Sequence, residues 1–212
     1  MQYFTFLGVG TLPEGYEEAL YSFEDNKEEI HASKYVQSAI IEKFQSDISE
    51  VFVFCTEKSY SLGARNIKNE IKTKFNIDIK FITINEFVKI EEILQKMNEV
   101  LKEDFIIDVT HSFRNIPISV TMISNYLEVS TKKQLKHLFY GNYNRETNEG
   151  LIIDLINQYE NSKIASSLMA FDQFLKISDT YLYNLNDNKI NNLMKGIYQF
   201  NHMLDYCEFD SC

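Results

Sequence analysis

The sequence predicts an α/β fold built on a mostly parallel, six-stranded sheet, with a hairpin inserted after the first strand and a helical extension after the last. Three observations predict it. Short runs rich in β-branched and aromatic residues alternate with stretches of helical spacing, the pattern of βαβ units. Two of those runs, Val51–Cys55 and Phe105–Val109, are almost continuously apolar, like strands buried on both faces of a parallel sheet. From Tyr159 onward only helical spacing remains. The expected division is a sheet domain over 1–158 and a C-terminal helical extension over 159–212.

Taken in order, Tyr3–Val9 is a first buried strand, ended by Gly8-Val9-Gly10-Thr11. A Rossmann-like unit would turn here into a helix. Instead Tyr16–Phe23, the turn Glu24-Asp25-Asn26-Lys27 and Glu28–Ser33 read as a hairpin, and Tyr35, Val36, Ala39, Ile40, Ile41 and Phe44 then give helical spacing. Val51–Cys55 is the second strand, followed by a helix over Ser61–Phe75 with Ile67 and Ile71 on one face. Ile77–Ile84 is the third strand, and Phe87, Ile90, Ile93, Leu94, Met97 and Leu101 make Glu86–Leu101 an amphipathic helix. Phe105–Val109 is the fourth strand, and Asn115 with Pro117 marks the start of a largely apolar helix over Ile116–Val129. Leu135–Tyr143 and Leu151–Ile156 form an antiparallel hairpin expected at the sheet edge, joined by the polar turn Asn144–Gly150. Beyond it, Ile164, Leu168, Phe171, Phe174 and Leu175, an Asn-rich break, and then Ile190, Leu193, Met194, Ile197, Phe200 and Leu204 describe a pair of helices.

Composition narrows the function. A formal charge of −10 with only three arginines, Arg65, Arg114 and Arg145, disfavours a broad basic face gripping long nucleic acid. It leaves room for a small phosphate-bearing ligand held by backbone N–H groups and one or two local cations. Nothing in the chain approaches the roughly 20 apolar residues of a membrane span. The segment MQYFTFLGVG lacks a basic n-region and a cleavage site, so the protein is expected to be cytoplasmic. Cys55, Cys207 and Cys212 suit neither a disulfide framework nor a zinc site, and the four histidines are scattered, so no metal and no cofactor are expected.

The chemistry concentrates at two loops. If the first and fourth strands lie side by side, as in the commonest doubly wound order, Gly8–Thr11 and Thr110–Asn115 wall one crevice, with Thr56–Ser59 as a third contributor. The glycines are not a dinucleotide fingerprint: the third glycine, an immediate helix and the acidic residue after the second strand are all missing. They read either as a strand-ending turn or as a place where a ligand meets bare backbone. His111 reads as an acid or base, a donor to phosphate, or a loop residue satisfied by a carbonyl, and Thr110, Ser112, Arg114 and Asn115 crowd further donors beside it. Arg114 offers a planar fork for phosphate, and Asp108 is read as a carboxylate that orients the loop. Neither a serine-hydrolase elbow nor a phosphate-binding Walker loop is present.

The segments Phe4–Thr11, the hairpin containing Tyr16 that leads to Tyr35-Val36-Gln37, and above all Asp108-Val109-Thr110-His111-Ser112-Phe113-Arg114-Asn115-Ile116-Pro117 resemble the CRISPR-associated Rossmann-fold (CARF) sensors of type III CRISPR systems, in the branch usually fused to HEPN ribonucleases. The likeness also takes in Leu138–Asn142 and Ala170–Leu175. It implies binding of cyclic oligoadenylate, a ring of 3′–5′-linked AMP units, across the two-fold axis of a homodimer. It further implies ligand contacts from Gly8, Val9, Gly10, Thr11, Thr110, His111, Ser112, Phe113, Arg114 and Asn115, with Thr56 and Ser59 meeting an adenine at the periphery.

The HEPN signature of an arginine and a histidine a few residues apart on one helix is missing, so the chain reads as a sensor without its usual nuclease. Two functions follow. In the first, the chain senses cyclic oligoadenylate, cyclic tetra-adenylate foremost, and its helical tail passes occupancy to a separate effector protein. In the second it is a metal-independent ring nuclease, with His111, Ser112 and Arg114 as catalytic groups that place a ribose 2′-hydroxyl in line with the neighbouring phosphate. A transcriptional regulator ranks behind both, because Ser162–Cys212 holds no arginine for base edges.

Overall fold

The structure is a computed structural model that describes residues 1–9, 16–86, 88–112, 116–174, 192–193 and 195–200. In chain order its elements are β1 (Gln2–Leu7), β2 (Ala19–Phe23), β3 (Asn26–Ser33), α1 (Val36–Lys43), β4 (Glu50–Cys55), α2 (Glu57–Phe75), β5 (Ile79–Thr83), α3 (Ile90–Val100), β6 (Phe105–Asp108), α4 (Ile116–Thr131), β7 (Leu135–Asn144), β8 (Glu149–Asp154) and α5 (Ile156–Phe174). The strands form one mixed sheet in the order β3-β2-β8-β7-β6-β1-β4-β5.

The sheet has eight strands where the sequence reading expects six. The hairpin is inserted in sequence, as expected, but it does not stand apart from the sheet. Leu20–Phe23 of β2 pair in parallel with Glu149–Ile152 of β8. Consequently β7 and β8, antiparallel as expected, are not the edge. The physical reason is that β8 left at an edge would expose a row of unpaired backbone groups, and β2 satisfies them. Pairing between the five strands β5, β4, β1, β6 and β7 is parallel throughout. The predicted neighbour relation holds: Gln2, Tyr3 and Phe4 of β1 lie opposite Phe105, Ile106 and Ile107 of β6.

Alternation along β1 and β4 divides the core. Tyr3, Leu7, Val51 and Val53 belong to a cluster with Ile40 and Ile41 of α1 and Ile67 and Ile71 of α2. The intervening residues are phenylalanines: the rings of Phe4 and Phe52 stack at 5.1 Å, those of Phe6 and Phe54 at 5.2 Å, and Phe105 meets Phe4 edge-on. Helices α3 and α4 bury Ile93, Met97, Ile123 and Leu127.

Helix α2 begins four residues earlier than the expected Ser61, at Glu57, because Thr56 and Ser59 form a capping box. Thr56 accepts from the Ser59 N–H at 3.1 Å and the Ser59 hydroxyl accepts from the Thr56 N–H at 2.9 Å. Helix α3 starts at Ile90, four residues later than expected, and Phe87 lies outside the described residues. Two compact units part between Ile156 and Asn157, at the first residues of α5. Within the second unit, residues 192–193 and 195–200 are helical; the expected Leu175, Ile190, Met194 and Leu204 lie outside the described residues. No helix among the described residues is long and apolar enough to cross a membrane.

Candidate functional site

A buried carboxylate anchors the site. Asp108, the last residue of β6, accepts hydrogen bonds from the Thr5 hydroxyl at 2.7 Å, the Tyr3 hydroxyl at 3.3 Å, and both the backbone N–H and the hydroxyl of Thr110. The Thr110 oxygen in turn accepts from the Gly141 N–H of β7 at 2.7 Å. One carboxylate thereby ties three neighbouring strands, β1, β6 and β7, to the start of the Thr110–Ser112 loop. Burial and the Asp108 charge push the Tyr3 phenol well above its usual range, so it stays a donor. Gln37 of α1 completes the network, donating to the Phe6 carbonyl at 2.9 Å and to the Thr5 hydroxyl at 3.3 Å.

Two glycines give this network its shape. A Cβ on Gly141 would meet the Thr110 side chain at 3.0 Å and Val36 at 3.1 Å, so glycine here lets β7 close on the loop. A Cβ on Gly8 would stand 3.0 Å from the Tyr16 hydroxyl and 3.5 Å from the His111 Cβ. The bare backbone at Gly8 is therefore occupied, by a phenol from the hairpin. The Tyr16 ring lies 5.0 Å from the His111 imidazole and 5.4 Å from the Tyr35 ring. Burial raises the Tyr16 phenol to about 12, and burial lowers the His111 imidazole below its usual 6.5, with the Asp108 carboxylate opposing in part. At neutral pH the pair is an uncharged phenol against an uncharged imidazole.

Two cavities open on either side of Gly8 and His111. The larger, about 470 Å³, lies between the β1, β6 and β7 ends and the hairpin, and is lined by Gly8, Val9, Tyr16, Glu17, Tyr21, Lys34, Thr110, His111, Ser112, Gly141, Tyr143 and Arg145. The smaller, about 410 Å³, lies over the β1 and β4 ends and the start of α2, where Phe54, Cys55, Thr56, Lys58 and Ser59 join Gly8, Val9, His111 and Ser112. Both volumes fall in the range of small-molecule sites.

Of the residues read from the sequence, Gly8, Val9, Thr110, His111 and Ser112 come together around both openings or the larger one. Thr56 and Ser59 line the smaller cavity, but they are buried and their hydroxyls serve the capping box of α2. The Ser112 hydroxyl donates to the Val109 carbonyl at 2.7 Å. Gly10, Thr11, Phe113, Arg114 and Asn115 lie outside the described residues. Among the described residues no hydrogen bond joins the His111 ring to a hydroxyl or a carboxylate. No trio of His, Cys, Asp and Glu side chains among the described residues could hold a metal ion.

Sequence reasoning missed Tyr21, Lys34, Gly141, Tyr143 and Arg145 as lining residues, and named Tyr16 only as part of a hairpin. The one signal that could have found them is the placement of that hairpin. Once β2 joins β8, the β3–α1 junction holding Lys34 and the β7–β8 turn holding Arg145 must both face the β1 end. Compared with models of known protein families and with curated proteins, the chain matches none.

Proposed function

We propose that this chain is a Rossmann-like sensor of the CARF type that binds a cyclic oligoadenylate, cyclic tetra-adenylate foremost, in type III CRISPR antiviral signalling in the cytoplasm. The observation that carries the proposal is the larger cavity. It lies at the carboxyl ends of adjacent parallel strands, has Gly8 and the Thr110-His111-Ser112 loop for a floor, and holds Lys34 and Arg145 within a chain of net charge −10. A symmetric ring bearing several phosphates suits a homodimer that presents this floor twice across its two-fold axis. Uncharged His111, which lines the cavity and has no hydrogen-bond partner among the described residues, would meet a ribose or phosphate oxygen. The helical second unit would carry occupancy to an effector protein.

Incubation with cyclic tetra- and hexa-adenylate, followed by native mass spectrometry and by product analysis over hours, tests the proposal. A dimer holding one intact ring at low micromolar concentration is the expected result. Linear products or products ending in a 2′,3′-cyclic phosphate, lost in His111→Ala, would replace sensing by ring cleavage. Absence of binding by either ring would end the proposal.

A further inference from the structure

The floor of the larger cavity comes from the loops after β1 and β6, but its charge comes from elsewhere. Lys34 stands at the junction of β3 and α1, and Arg145 opens the turn between β7 and β8. These positions are far apart in sequence and belong to different connections of the added sheet half. Neither side chain has an ion pair or a side-chain hydrogen bond among the described residues, although the chain carries 31 acidic residues against 21 basic ones. Glu17 is the acidic residue on the same wall, and it is exposed. Arg145 is held at the rim by its turn: the Asn144 side chain accepts from the Glu146 N–H at 2.9 Å, and Asn148 takes the left-handed conformation with φ of 57°. On the lining of the same cavity, the Tyr16 hydroxyl lies over Gly8 and has no hydrogen-bond partner among the described residues.

Around an opening about 470 Å³ in volume, a guanidinium and an ammonium can only donate, and a phenol O–H adds a third donor. Such a set matches the oxygens of a phosphate or phosphodiester, with the planar arginine fork suited to two of them at once. We infer that Lys34, Arg145 and Tyr16 form a phosphate-binding wall on the hairpin side of the cavity, facing the Gly8–His111 floor, and that the ligand class it takes is a nucleotide phosphate or phosphodiester. This rests on the proposed function for the identity of the whole ligand, but the wall itself is defined by its own three donors. The hairpin thereby does more than extend the sheet, because without β2 and β3 the cavity would keep its floor and lose Tyr16 and Lys34.

The test is equilibrium binding of cyclic tetra-adenylate, cyclic hexa-adenylate and, separately, adenosine 5′-diphosphate to the full chain, from low to moderate salt. It uses Lys34→Met, Arg145→Gln and Tyr16→Phe, with Lys68→Met on the exposed face of α2 as control and thermal unfolding as the check on folding. Losing one cation should weaken binding of a ring that the wild type binds by about tenfold. It should also flatten the dependence of log affinity on log salt by about one contact. Tyr16→Phe should weaken binding less and leave that slope unchanged, Arg145→Lys should recover the slope, and Lys68→Met should change neither. Rings bound equally by wild type and by both cation variants would overturn the wall and leave the sensor proposal standing. If the wild type binds no ring, the sensor proposal fails and the diphosphate decides the wall: binding that depends on Lys34 and Arg145 supports it, and no binding at millimolar concentration overturns it.

Discussion

Strand β1 is buried at all six of its positions, whereas β3 is buried at two of its eight, and the contrast runs through the whole sheet. In the parallel half, β1, β4 and β6 carry apolar side chains on both faces and pack them against helices. In the added half, β2 alternates: Ala19, Tyr21 and Phe23 are buried, while Leu20 is 45% exposed. One half is held by burial on two faces and the other by burial on one face plus backbone pairing. The candidate site lies along the seam, taking its floor from the first half and its charged wall from the second.

The contrast can be broken most severely by removing a core ring from the parallel half. Phe4→Ala deletes a ring stacked on Phe52 and is expected to cost about 4 kcal/mol in urea unfolding. Next comes the node that ties β1, β6 and β7 together at the site: Asp108→Ala strands the Tyr3, Thr5 and Thr110 donors and should cost about 3 kcal/mol, together with the ring binding proposed above. Within the added half, Gly150→Ala puts a Cβ 2.4 Å from the Tyr21 ring. It should cost about 2 kcal/mol by overpacking and displace Tyr21 from the cavity wall, which a shift in its ring NMR signals would report. Leu20→Ala, on the exposed face of the same strand, should stay within about 0.5 kcal/mol of the wild type. A Leu20→Ala loss as large as that of Phe4→Ala would erase the distinction between the halves.

The smallest effect is a pH dependence. Burial lowers the His111 pKa below 6.5, so the folded state binds this proton less readily than the unfolded chain does. The stability that depends on neutral His111 is complete above pH 6.5 and is lost as pH falls through the lowered folded value. His111→Gln should flatten the acid side of the stability profile below pH 6.5 and leave the neutral side unchanged. Unfolding at a series of pH values measures it, and an unaltered acid slope would mean that His111 is not the group responsible.

How legible each part was follows from the same division. The parallel strands announce themselves because burial on both faces demands unbroken apolar runs such as Phe52-Val53-Phe54 and Phe105-Ile106-Ile107. The β1–β6 neighbour relation followed from the general order of doubly wound sheets, and with it the meeting of Gly8 and His111. The start of α2 was misplaced because Thr56 and Ser59 read as loop donors when their hydroxyls close a capping box. The hairpin was legible as a hairpin, but its partner was not. Leu20 pairs with Glu149 across more than half the chain, and nothing in either strand's local pattern specifies that register.

By itself the sequence determined the alternation of strands and helices, the polar loop after β6 and the carboxylate beneath it, since each is written in residues that lie close together. Only the tertiary structure decided that β2 joins β8, that the Tyr16 phenol fills the space over Gly8, and that Lys34 and Arg145 face the same opening. Local spacing fixes which face of a strand is apolar. Which edge that strand meets is settled by backbone pairing and side-chain fit between segments more than a hundred residues apart.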